Sequence, residues 1–166
     1  MMFFRPQRVL VLVGLAALAI AFIPRSAAAQ YRVGVVMGGT GAWGLLVEYR
    51  WKRQGLELQA GTWSFRDLSL AVTAKQYVGS NAVEPYVGAG LWGLVARAEE
   101  GTGFGLIARL PVGLDWEFVS RHSAGLAIHF NRALVIKRPD PADRRPPRAS
   151  FIPLPELSYR WLARER

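Results

Sequence analysis

Cysteine is absent from all 166 residues. That excludes a disulfide framework, a thiolate metal site and the lipid-attachment cysteine of a lipoprotein. Helical periodicity of useful length is also missing beyond residue 30, so a helical bundle is not the fold. Acidic residues are in short supply: 12 Asp and Glu stand against 21 Lys and Arg, a formal net charge of +9. The surplus cations are scattered or gathered in one loop, and no nucleic-acid partner is expected.

The N-terminus carries an address. Arg5 and Arg8 precede an apolar run at 9–23, which ends in Arg25-Ser26-Ala27-Ala28-Ala29-Gln30. Small residues at Ala27 and Ala29 complete the layout of a secretory signal peptide. The run is short for a spanning helix, which needs about 20 residues. The expected organisation is a cleavable signal peptide at 1–29 and one domain at 30–166. Loss of Arg5, Arg8 and Arg25 takes the formal charge from +9 to +6. An exported domain of this size without disulfides must be stabilised otherwise, and a closed hydrogen-bonded barrel does so.

What is present is alternation. In Ala108-Arg109-Leu110-Pro111-Val112-Gly113-Leu114-Asp115-Trp116-Glu117-Phe118, the even positions are apolar and the odd positions are polar, glycine or proline. Period two marks a strand. Similar runs at 31–38, 42–51, 56–65, 68–78, 83–97, 104–118, 123–136 and 151–162 are separated by turn residues, which predicts eight strands joined as hairpins. Most reach the 9–11 residues or so that a tilted strand needs to cross a bilayer.

The two faces differ in kind. One holds Val33, Val35, Leu45, Val47, Leu58, Leu70, Leu91, Val112, Leu126 and Leu157, with no Lys, Arg, Asp or Glu among its members. The other mixes glycines with the cations Arg32, Arg50, Lys75, Arg109 and Arg160 and the carboxylates Glu48, Glu57, Glu84, Asp115, Glu117 and Glu156. A soluble barrel holds bulky aliphatic side chains inside. A small membrane barrel is inverted, because a lipid-facing Arg or Lys near the midplane costs about 2–4 kcal/mol. The eleven charged residues are therefore predicted to form an interior ion-pair network that fills the barrel, not a conducting channel. With both termini at one rim, Tyr31, Tyr49, Trp51, Trp116, Phe118, Tyr159 and Trp161 come together there on the apolar face. That is the pattern of an interfacial aromatic girdle.

Val83-Glu84-Pro85-Tyr86-Val87-Gly88-Ala89-Gly90, Leu110-Pro111-Val112-Gly113-Leu114-Asp115-Trp116 and the aromatic-ended Leu157-Ser158-Tyr159-Arg160-Trp161 carry a resemblance. With the leader and the eight amphipathic runs, the chain resembles the small eight-stranded outer-membrane β-barrel proteins, OmpX-like and similar to the membrane domain of OmpA. The resemblance covers most of the chain after residue 30. It implies an all-β, closed, antiparallel up-and-down barrel in the bacterial outer membrane. It also implies a monomer, contact with outer-membrane lipid and lipopolysaccharide, assembly by the barrel-assembly machinery, and a structural or surface-interaction role. No cofactor, no metal and no catalysis are expected.

The sequence departs from the pattern in places. Residues 162–166 follow the final aromatic. Pro111 lies in mid-strand, and Pro153 and Pro155 open the last strand, where each proline should mark a bulge or a strand end. Trp63 and Phe65 fall on the polar parity, which a bulge near Gly61 would correct.

Two other function classes remain. The outer-membrane lipid A deacylases are barrels with a His/Ser/Glu site, the His and Ser two apart on one strand. Here His129 is flanked at that spacing by Ala127 and Asn131, and His122-Ser123 sits in a turn. His129 is therefore expected to be one more interior polar group. The other class is a soluble secreted barrel holding a small apolar ligand. Gly38-Gly39-Thr40-Gly41 lacks the Lys-Ser/Thr of a phosphate loop and reads as a hairpin turn. The Pro/Arg-rich segment 137–150, with Lys137, Arg138, Arg144, Arg145 and Arg148, is expected on the outer surface as a contact for lipopolysaccharide or another polyanion.

Overall fold

The computed structural model describes residues 29–79, 81–98, 101–138 and 150–165. Residues 1–28 of the expected leader, together with Arg144, Arg145 and Arg148, lie outside those residues, while Ala29 belongs to the first strand. The regular elements described are all strands: β1 (Ala29–Gly38), β2 (Gly41–Trp51), β3 (Gln54–Thr62), β4 (Asp67–Tyr77), β5 (Val83–Ala98), β6 (Gly101–Val119), β7 (His122–Lys137) and β8 (Ile152–Glu165). Each pairs antiparallel with its sequence neighbours, and β1 pairs with β8, so the eight strands close into an up-and-down barrel. Closure leaves no free edge, and the inner and outer faces follow the alternation of the sequence.

The large apolar side chains face outward. Leu45 is 66% exposed, Leu58 53%, Val112 51% and Leu157 56%, whereas Glu48, Arg109 and Arg160 are fully enclosed at 0%. On the outer face of β6, the strand from Phe118 to Ala108 carries no charge. Ten residues of tilted strand rise about 25 Å, the height of a membrane barrel's apolar band. Arg132, paired with Ala108, marks the upper limit of that band. Beyond it β5, β6 and β7 run on, and the β5–β6 ladder continues to Ala98↔Gly101.

Several expectations are corrected. β3 ends at Thr62, and there is no bulge at Gly61. Trp63 and Phe65 instead belong to a loop closed by Asp67, whose carboxylate accepts from the Trp63 and Ser64 backbone N–H groups at 3.0 and 2.9 Å. Burial, the largest single influence, would raise the Asp67 carboxyl, but these bonds and the Ser64 and Thr62 hydroxyls together outweigh it and hold the carboxyl below its usual range.

Pro111 marks neither a bulge nor a strand end. Its pairing with β7 continues as Pro111↔His129. On the β5 side the ladder lapses at Gly88 and Ala89 and resumes at Gly90↔Arg109 in the same register. The ring points inward, and a Cβ on Gly88 would lie 2.9 Å from Pro111 Cγ. Glycine at 88 thus makes room for the proline.

Pro153 and Pro155 pair with β7 in unbroken register. Pro155 C=O accepts from Gly39 N–H at 3.0 Å, so its nitrogen also faces β1, and the β1–β8 ladder stops at Gly38↔Glu156. A missing donor costs little where the neighbouring strand has ended. The residues after Trp161 continue β8 to Glu165, with Ala163 as a bulge between Arg32↔Leu162 and Tyr31↔Arg164.

Candidate functional site

The inner face gathers the charged residues into three tiers. At the end holding the chain termini, Arg32 lies 2.8 Å from Asp115 and 3.5 Å from Glu117. Arg50 lies 2.6 Å from Glu84 and 4.0 Å from Asp115. In the middle, Arg160 reaches Glu57 and Asp115 at 3.0 Å each and Glu48 at 3.7 Å. Lys75 sits 2.6 Å from Glu57. At the far end Arg109 lies 3.5 Å from Glu156 and donates to Gln59 Oε1 at 3.0 Å.

Strand register explains why the network crosses the lumen. Glu48 stands directly opposite Glu57 on the next strand, and Glu84 opposite Asp115. Like charges in those positions repel. Arg160 bridges the first pair and Arg50 the second, each from a distant strand. Five cations thus meet six carboxylates in one network, enclosed except at the terminal rim, where Glu117 is exposed and Glu84 half-buried, so Glu117 is not the interior group expected of it.

Uncharged groups complete it. The Tyr77 hydroxyl donates to Glu48, and the Tyr77 ring lies 4.0 Å below the Arg50 guanidinium. Lys75 Nζ stands 4.6 Å from the Tyr86 ring. Gln59 donates to Glu57 at 3.0 Å and to Glu156 at 3.1 Å, tying the middle tier to the far one. Tyr77 and Gln59 were absent from the predicted network, although their parity marks both as inward: Tyr77 shares it with Ser69, Thr73 and Lys75. Tyr86 fits because Gly113 faces it, where a Cβ would come 2.7 Å from the ring.

His129 is enclosed among these groups. Arg109 can only donate, so its 2.6 Å contact makes His129 Nδ1 the acceptor and leaves the ring proton on Nε2. Nε2 lies 3.0 Å from Glu156 Oε2 but off the angle of a hydrogen bond. Among the described residues no serine hydroxyl bonds to this ring. Asn131 donates to the His129 backbone carbonyl at 2.9 Å. His122 meets the Tyr159 hydroxyl at 2.6 Å on the outside, while Ser123 faces inward. The hairpin turn at Gly39-Thr40 seats over the far tier: Thr40 is fully buried and donates to Gln59 at 3.2 Å.

Around the terminal rim, Tyr31 and Tyr49 rings lie 5.0 Å apart, Tyr49 and Trp51 5.3 Å, and Trp116 and Phe118 5.5 Å. Phe118 and Trp161 flank Tyr159 at 6.5 and 6.4 Å. Tyr49 alone of these is buried, covered by its neighbours. Lys137, at the end of β7, is exposed, and Arg138 follows it. No cluster of His, Asp and Glu able to hold a metal is found among the described residues.

No protein-family model matches the chain, and no curated protein matches it by sequence. Among solved structures, the crystal structure of Neisserial surface protein A (NspA) is similar, with a TM-score of 0.48 at 11% sequence identity over 81% of this chain and 95% of that one.

Proposed function

We propose that this chain is a non-enzymatic outer-membrane β-barrel protein of the OmpX and OmpA-membrane-domain kind, with a structural or surface-interaction role. One observation carries the reading: the barrel is inside out. Its charged residues pair within the lumen, while its outer face is apolar over about 25 Å of strand. In water such an exterior would be an aggregation surface far above the few hundred Å² usual for a soluble monomer. In a bilayer it is the solvated face, and the terminal aromatics take the interface.

Both termini then face the periplasm, as does the aromatic rim. The β5–β6–β7 extension, which ends in Lys137 and Arg138, faces outward from the cell. That extension supports a surface-interaction role, because it exposes Phe104, Leu134 and Val135 beside Arg97, Arg132 and Lys137. The cations suit lipopolysaccharide phosphates.

Membrane fractionation with gel migration tests the proposal. The protein is expected in the outer-membrane fraction, with an unboiled band that shifts on heating. Recovery as a soluble periplasmic protein would overturn the reading. Lipid A mass spectra are expected to be the same with and without expression.

A further inference from the structure

The lumen is closed in its middle but open at the rim that holds the termini. A cavity of about 430 Å³ there is lined by Gln30, Arg32, Glu117, Arg121, Ser123 and Arg160. A second, of about 340 Å³, shares Gln30, Arg32 and Glu117 and adds Arg50, Lys52 and Glu84. The two form one vestibule. Arg32, Arg50, Lys52, Arg121 and Arg160 face Glu84 and Glu117 there, with Asp115 beneath the floor. Arg160, in the floor, is already paired with Glu57 and Glu48; without it, four cations still outnumber the three carboxylates Glu84, Glu117 and Asp115.

Two observations separate this vestibule from a merely solvated barrel mouth. Ser123 is 3% exposed, lines the first cavity, and its hydroxyl has no hydrogen-bond partner. A buried hydroxyl left in that state is costly unless something enters to meet it. Next, the turns that border the vestibule hold cations in the left-handed backbone region: Lys52 at φ 51° and Arg121 at φ 75°. Glycine would adopt that conformation without strain. Each turn thus sets a positive charge at the rim in a backbone conformation that disfavours it. Among the described residues the Arg121 guanidinium makes no ion pair and donates to the Leu162 carbonyl at 3.4 Å, while the Arg121 carbonyl accepts from Leu162 N–H at 2.8 Å.

We infer that this vestibule is an anion-binding site for a phosphate group, held by Arg121 and the Ser123 hydroxyl with Lys52 and Arg32 supplying field. Guanidinium and hydroxyl donors at a concave, net-positive mouth match the acceptor oxygens of phosphate. Free phosphate and the headgroup of an inner-leaflet phospholipid both present that chemistry.

The test is NMR of the folded barrel in a neutral maltoside detergent, with inorganic phosphate titrated against chloride at constant ionic strength. Saturable shifts are expected at the Ser120, Arg121 and Ser123 amides. Arg121→Gly removes the cation and relieves the backbone strain, so it should fold at least as well while phosphate affinity falls about tenfold, the loss of one charge-assisted hydrogen bond. Ser123→Ala should weaken binding in the same direction, and Arg66→Ala, in the β3–β4 loop at the opposite rim, should not. A second arm uses phosphatidylglycerol nanodiscs in phosphate-free buffer. If the same amides are already shifted there and ignore added phosphate, the ligand is the lipid headgroup; if they still respond, it is free phosphate. Absence of saturable shifts in both arms, or full affinity in Arg121→Gly, overturns the site.

Discussion

Arg160→Met removes the cation at the centre of the lumen. The arginine is fully enclosed and lies within 3.0 Å of both Glu57 and Asp115. Breaking a buried pair by deleting one partner costs about 3–5 kcal/mol, because a charge is left enclosed without compensation. Here the lower end applies. Glu57 keeps Lys75 at 2.6 Å, Asp115 keeps Arg32 at 2.8 Å, and Glu48 keeps the Tyr77 hydroxyl. A loss of about 3 kcal/mol is roughly a hundredfold in the folding equilibrium. With an m value of about 2 kcal/mol/M it lowers the urea midpoint by about 1.5 M. The assay is reversible unfolding in lipid vesicles, followed by tryptophan fluorescence. Adding Glu48→Gln supplies the decisive arm. Without Arg160, Glu48 and Glu57 face each other unbridged across adjacent strands. Neutralising Glu48 removes that repulsion while its hydrogen bond from Tyr77 survives. The double variant should therefore recover about 1 kcal/mol of the loss. A wild-type midpoint for Arg160→Met, or a further loss on adding Glu48→Gln, would refute the network.

Val112→Arg places a charge near the middle of the outer band, six residues from Phe118 along β6. It should lower stability in lipid by about 2–4 kcal/mol, and an unchanged unfolding midpoint would mean that this face meets water. Gly113→Ala forces a methyl to within 2.7 Å of both the Tyr86 ring and the Leu126 carbonyl. A loss of about 1–3 kcal/mol is expected from urea titration. Asp67 is stabilised in its ionised form, so the loop it closes is held above the ordinary carboxylate range and released as pH falls through its lowered pKa. The Trp63 and Ser64 amide resonances should follow that titration, and Asp67→Asn should abolish it.

Register explains where reading the chain succeeded and where it did not. Alternation along β6 places Arg109, Asp115 and Glu117 on one face and Val112, Leu114 and Trp116 on the other, and no tertiary information is needed for that. Tyr77 and Gln59 obey the same parity and were legible in principle. They were missed because neither carries a charge. The bulge assumed near Gly61 failed for a different reason. It kept Trp63 and Phe65 in a strand, whereas the Asp67 carboxylate captures the Trp63 and Ser64 backbone N–H groups and ends β3 first. Pro111 looked like an interruption because a proline was weighed without its neighbour. Gly88 on the adjacent strand admits the ring and lets the ladder resume.

By itself the sequence determined the number of strands, their inward and outward faces and the apolar character of the exterior. Each follows from the two-residue period of an extended chain, a local property. Only the tertiary structure decided which charges meet. Arg32 stands opposite Glu48 on the neighbouring strand yet bonds Asp115 across the lumen, 83 residues away in sequence. Such a pairing depends on the register of every strand between them and on closure of β8 against β1. The open vestibule at the terminal rim arises in the same way. Its cations come from five separate strands and turns, and no spacing along the chain records that they share one mouth.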